Sequence, residues 1–378
     1  MTHPILQNLR HSTYDVVSMG AERASQQARN MIPNPPQRRY HGNWLQPACC
    51  LSTGRCEQAP IWARAKRPHV DGAAIRSHLV CLRLCGGAMV QKPRFARGLS
   101  EEFMRDLREG ALSGLLDATR TYRLDLQIRE DYLNLYHDGK AVLKLEHRPR
   151  LSAYRAVIHS KFLPGVELPG PASSRKEHMC FDAGPGFVDA YASQLPKIIA
   201  NACRYRHSEG AAEEALIRQS LIGSSPVVFI DRQVQVHGVS KRADVIGLTR
   251  DGERVILGEV KQGLNNDIQH LIDQLTPYYH IAAGADGCLS NEFAFAYRVV
   301  VEQKRELGVL PESIVFPAVP PRVDCLVMLC DYNEKSQLLG RLRGQAARSD
   351  LRIWLTCPFG PDYLLSPPEE WEQLCPSA

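Results

Sequence analysis

The stretch RADVIGLTRDGERVILGEVK, residues 242–261, decides how this chain is read. At its centre Asp251-Gly252 favours a two-residue turn, and its flanks are rich in branched apolar residues, so the segment predicts a β-hairpin. Residues equally distant from such a turn face one another. Asp244 and Glu259, each seven places from the turn, are therefore expected side by side on adjacent antiparallel strands, with Cβ atoms roughly 4.5–5.5 Å apart. Lys261 follows two places after Glu259 and projects from the same face, because side chains alternate along a strand. The rest of that face is apolar, with Ile246 opposite Leu257 and Leu248 opposite Val255, and the reverse face carries Ala243, Val245, Gly247, Ile256, Gly258 and Val260. Strands apolar on both faces lie in the middle of a sheet. Two carboxylates opposed at the end of such a hairpin destabilise it unless a cation lies between them. A divalent metal with oxygen ligands, Mg2+ or Mn2+, is the expected cation, held by Asp244, Glu259 and the Val260 carbonyl. Lys261 is then placed to orient or deprotonate an attacking water, or to stabilise developing charge.

Outward from the hairpin, residues 187–201 and 209–221 read as helices and 227–236 as a third strand. Downstream the pattern predicts helices over 267–283 and 291–307, a strand over 323–330, a helix over 334–348 and a strand over 351–356. Their order is α-β-β-β-α-α-β-α-β, and no G-x-x-x-x-G-K-[ST] phosphate loop interrupts it, which argues against an NTPase motor.

Residues 96–163 read as a small helix-plus-antiparallel-sheet module. Its helix starts at the N-cap Ser100 and runs to Leu116, and strands follow around Leu126, Leu133 and Leu143, with Asp138-Gly139 as a turn. This module is assigned no catalytic role. His137 and His147 read as lone surface histidines, and the module is the expected surface for substrate, a second copy or a protein partner. The Pro/Gly/Ser-rich run 164–186 predicts a linker, and 358–378 a tail. Residues 1–88 hold ten Arg and one Lys against four acids and no lasting apolar period, so they are expected to be disordered, or an over-extension upstream of Met89.

Of the net charge of +5, the first 88 residues carry +7, so basicity is no argument for nucleic-acid binding by the folded part. A 378-residue chain with 44% hydrophobic and 23% charged residues has a globular composition and room for two domains. No apolar run reaches the roughly 18 residues of a membrane span, and no secretory signal opens the chain, so a cytoplasmic protein without a membrane partner is expected. The twelve cysteines form no C-x2-C pair and are expected as thiols.

Asp244, followed after fourteen residues by Glu259-Val260-Lys261, resembles the D…E-x-K signature of the PD-(D/E)xK nuclease superfamily, with Ala243 where that signature carries proline. Gly210-Ala211-Ala212-Glu213 resembles the opening of the family's first helix, and Gln274-Leu275-Thr276-Pro277-Tyr278 the Q-x-x-x-Y element of its RecB-like branch. The resemblance covers residues 187–357. It implies an α/β fold with a restriction-endonuclease-like αβββαβ core and a mixed central sheet, and metal-dependent hydrolysis of phosphodiester bonds, with DNA as the expected substrate in repair, restriction or anti-phage defence. Asp244, Glu259 and Lys261 are then catalytic, Glu213 supplies a further metal carboxylate, and Gln274 approaches the site. Lys241, Arg242 and Tyr278 are expected to meet nucleic acid, Arg242 while paired with Lys261 across the hairpin. The alternative of a different class is an inactive nucleic-acid-binding or assembly protein that keeps the fold, its carboxylates serving structure.

Overall fold

A leading helix is expected to be continuous, but the chain breaks it in two, α1 (Glu101–Arg108) and α2 (Ser113–Thr121). Gly110, a poor helix former, lies in the break, and the Gly110 and Leu112 N–H groups both turn back onto the Asp106 carbonyl. The turn lets Phe103 and Leu107 of one segment and Leu112, Leu115 and Leu116 around the other enter the same core. The computed structural model in which this is seen describes residues 95–374, apart from 152, 171–172, 206, 237–238, 240–241, 264–265, 333–334 and 359–362. The expectations for residues 1–88 and for Lys241 lie outside the described residues.

Six antiparallel strands follow: β1 (Asp125–Ile128), β2 (Tyr132–His137), β3 (Lys140–Arg148), β4 (Ala153–His159), β5 (Ser173–Arg175) and β6 (His178–Asp182), in spatial order β1-β2-β3-β4-β6-β5. The last two come from the segment expected to be a linker. Its Pro and Gly content hides Cys180 and Phe181, which are buried as β6 pairs along β4.

Helix α3 (Pro185–Cys203) runs through Pro196, and α4 (Ser208–Ser220) follows. Next come β7 (Val227–Gln235), β8 (Arg242–Thr249), β9 (Arg254–Gln262), α5 (Leu271–Ala282), α6 (Asn291–Glu306), β10 (Arg322–Cys330), α7 (Gln337–Ala346), β11 (Ile353–Thr356) and β12 (Glu372–Gln373). These strands form a second sheet in the order β12-β11-β10-β9-β8-β7. It is mixed: β7, β8 and β9 are antiparallel, β9, β10 and β11 parallel, and β11 and β12 antiparallel. The α5–α6 crossover supplies the long return that a parallel β9–β10 pair requires. Part of the expected tail is therefore structure, since β12 edges the sheet and Trp371 and Leu374 are buried.

Alternation along the strands covers the second sheet on both faces. Val255 and Leu257 of β9 and Val323, Cys325 and Val327 of β10 join the larger core, whereas Ile256, Val260, Leu326 and Met328 pack with Ala212, Leu216 and Ile217 of α4. The described residues thus form a mixed α/β unit with seven α-helices and two six-stranded sheets. No helix among them is long and apolar enough to cross a membrane.

Buried ion pairs tie the two sheets. Arg129, just past β1, bonds Asp231 and, at 2.5 Å, the Arg232 carbonyl of β7, while Lys304 of α6 reaches Gln127 Oε1 at 2.9 Å and the Ile230 carbonyl at 2.8 Å. Ile230 is an extra residue in β7 opposite β8, a bulge that offsets the register there. Arg232 donates to Glu213 at 2.8 Å and reaches Asp125 at 3.3 Å and Glu214 at 3.4 Å.

Candidate functional site

The hairpin register is as expected along its apolar part, from Val245 opposite Gly258 to Leu248 opposite Val255. Its loop is longer than the expected two residues. Arg250 to Glu253 form it, the Gly252 N–H closing onto the Thr249 carbonyl at 2.8 Å and the Thr249 hydroxyl donating to Asp251 at 2.6 Å. Lengthening the loop equally on both sides leaves the register unchanged.

At the other end the strands separate. The Val260 N–H donates to the Asp244 carboxylate at 2.9 Å, while β9 stays paired with β10 as far as Gln262 opposite Cys330. Chemistry-bearing side chains gather at this opening. Lys261 Nζ lies 3.2 Å from Glu209, 3.7 Å from Asp244 and 3.9 Å from Glu259, and donates to the Val260 carbonyl at 3.0 Å. Glu209 and Glu213 stand one turn apart on α4, and carboxylate oxygens of Glu209, Glu213 and Asp244 lie within 4.8 Å of one another. Gln233 of β7 bridges two of them, its amide donating to Glu213 at 3.0 Å and reaching Asp244 at 3.4 Å. Gln233 makes these contacts from a left-handed backbone, φ +48°, a conformation that strands avoid and that persists where surroundings enforce it.

The electrostatics are those of an acid cluster with too little positive charge. Burial pushes the Glu213 carboxyl up to about 7; Arg232 pulls against this and Asp244 adds to it. Burial, then the Asp244 charge and a hydrogen bond shared with it, hold Glu259 well above the usual carboxylate range. Glu259 is 1% exposed, and its Oε1 has no hydrogen-bond partner among the described residues. Burial lowers the Lys261 ammonium, but Asp244, Glu259 and Glu209 together raise it above an ordinary lysine, so it stays charged at neutral pH. The carboxylate oxygens of Glu209, Glu213 and Asp244 are hard donors that could hold a divalent cation.

The structure thus brings together Asp244, Glu259, Lys261, Glu213 and the Val260 carbonyl. Gln274 lies half-buried on α5 and enters none of these bonds. Arg242 is exposed and donates to Gln235 at 3.1 Å rather than pairing with Lys261, because the β8–β9 ladder has already opened and Lys261 stands beside Leu329 of β10. Tyr278 is 2% exposed, its hydroxyl donating to the Val234 carbonyl at 3.1 Å, so packing of α5 under β7 replaces the expected contact with nucleic acid.

Glu209 and Gln233 were not foreseen. Glu209 carries a signal, its four-residue spacing from Glu213 on one helix face. Gln233 carries none, since a left-handed residue inside a strand is not legible in sequence. A scan of protein-family models and searches of curated proteins and solved structures found no match to this chain.

Proposed function

We propose that this chain is a metal-dependent nuclease of the PD-(D/E)xK type, with its second sheet and flanking helices as a restriction-endonuclease-like core. The observation that carries the reading is the meeting of Asp244, Glu259 and Lys261 at the open end of one hairpin, with Glu213 brought to them by the preceding helix. A scaffold without such chemistry gains nothing from burying carboxylates this close to one another.

Asp244 and Glu213 would hold a divalent cation together with Glu209, whose oxygens lie within 4.8 Å of theirs, and with Glu259 buried beside Asp244. When bound, such an ion polarises a phosphoryl oxygen and makes water acidic enough to attack it. The protein's own groups do the rest. Gln233 holds Glu213 and Asp244 in place through its amide, and Arg232 keeps Glu213 oriented from beneath. Lys261, charged and anchored on the Val260 carbonyl, places a positive charge where negative charge builds on the scissile phosphate; its raised pKa favours that role over accepting a proton.

The test is cleavage of plasmid DNA, and of an RNA strand in parallel, by the purified chain with Mg2+ or Mn2+. Cleavage of DNA is expected, with Lys261→Ala lowering the rate about 100-fold or more while the protein still folds. Cleavage undiminished in EDTA, or full activity in Lys261→Ala, would falsify the assignment.

A further inference from the structure

We propose that His137, Asp138 and Cys203 form a second metal site, for a zinc-type divalent ion, that clamps the β2–β3 hairpin to the end of α3. A ring nitrogen of His137, a carboxylate oxygen of Asp138 and the Cys203 Sγ lie within 4.8 Å of one another. They are one nitrogen, one oxygen and one sulfur donor, the mixed borderline-soft set that suits Zn2+ and not the hard cations of the all-carboxylate site.

What makes this more than a chance meeting is that contacts not involving the donors hold them in place. Asp138 and Gly139 form the hairpin turn with both φ angles positive, +46° and +75°, a geometry that Asp-Gly adopts readily. The turn is wedged against α4: the Gly139 N–H donates to Glu214 at 2.8 Å, and a Cβ on Gly139 would sit 2.5 Å from the Gly210 backbone. Cys203 is the last residue of α3, and its Sγ stands 3.9 Å from the Asp138 carboxylate. His137 Nδ1 is shut off from solvent and makes no hydrogen bond among the described residues. Arg218 approaches Asp138 to 4.0 Å, but a carboxylate has about four acceptor directions and serves a guanidinium and a metal together.

Binding would release the Cys203 thiol proton to solvent and leave a thiolate–metal bond. It would join residues 65 positions apart in sequence. Three protein donors leave the fourth position of a tetrahedral ion to water or a small ligand, on the solvent side where Cys203 is exposed.

The probe is Co2+ added to the metal-stripped full chain. A thiolate-to-cobalt absorption band in the near ultraviolet is expected, lost in Cys203→Ser, weakened in His137→Ala and unchanged in Asp244→Asn, whose site offers no sulfur. In the unmutated chain, Zn2+ at about ten times its dissociation constant should slow alkylation of Cys203, read by peptide mass, about tenfold. No band in the unmutated chain, an undiminished band in Cys203→Ser or His137→Ala, a band lost in Asp244→Asn, or alkylation indifferent to Zn2+ each overturns the proposal.

Discussion

Glu213 is a carboxylic acid held between an arginine that wants it charged and an aspartate that does not, and burial decides the contest. Its pKa in the folded chain, about 7 against an ordinary 4.5, lies above the unfolded value. The stability it contributes is therefore fully present below about pH 4.5 and lost as pH rises through about 7. At roughly 1.4 kcal/mol per unit, the loss is about 3–4 kcal/mol. Urea midpoints in EDTA should fall across that window, and Glu213→Gln should flatten part of the slope, the rest belonging to Glu259. An identical slope in the variant would remove Glu213 as its source. Asp244 tests the same cluster from the other side. Asn keeps an oxygen for the Val260 N–H and relieves both raised carboxyls, while giving up the ammonium 3.7 Å away. Asp244→Asn in EDTA should therefore stay within about 1 kcal/mol of the unmutated chain. Mn2+ should raise the Tm of the unmutated chain by mass action and shift the variant far less. A variant clearly destabilised in EDTA and still fully responsive to Mn2+ would make Asp244 structural.

The strands around the site leave little room. A Cβ on Gly258 would lie 2.5 Å from Val245 Cγ2 and 2.7 Å from Met328 Cε, both buried within the second sheet. The methionine end can move; a packed valine beside it cannot move far. Gly258→Ala should cost about 1–3 kcal/mol by overpacking. By contrast, Gly186 near the start of α3 meets nothing within 4 Å, so Gly186→Ala should be neutral or stabilising by up to about 1 kcal/mol. Denaturant midpoints of the pair read the difference, and equal midpoints would mean that β8 and β10 yield more than their packing suggests. At the loop end of the hairpin, Arg250 donates to the carbonyls of Ser225, Ser220 and Ile222. Arg250 thereby caps the end of α4.

Across the whole described unit, Arg232 is the joint. It serves Glu213 of the site, Glu214 of the same helix and Asp125 of the first sheet, and its guanidinium lies 4.6 Å from the centre of the Tyr136 ring. Arg232→Leu would leave three carboxylates crowded without their common counter-charge, which should cost about 3–5 kcal/mol. The loss should exceed that of Arg242→Leu, an exposed residue bonded only through its Gln235 contact among the described residues. Comparable losses in the two variants would show that the buried network is not what couples the sheets.

Local pattern alone determined much of this protein. Apolar alternation and one Asp-Gly turn placed β8 and β9 in register, and with them Asp244, Glu259 and Lys261 on one face, because a period of two and a turn centre are properties of consecutive residues. The boundaries of most helices and strands after residue 187 followed for the same reason. What only the tertiary structure decided depends on distant partners. Residues 178–182 become a strand because β4 offers them an edge, and 173–175 because β6 then offers the next, Lys261 turns to Glu209 because the hairpin has opened, and Gln233 takes a left-handed backbone within β7 beside the Glu213 and Asp244 carboxylates. His137 and Cys203 meet across two elements that no periodicity relates. Such contacts arise from the closing of one sheet against another, and neighbours in the chain carry no record of it.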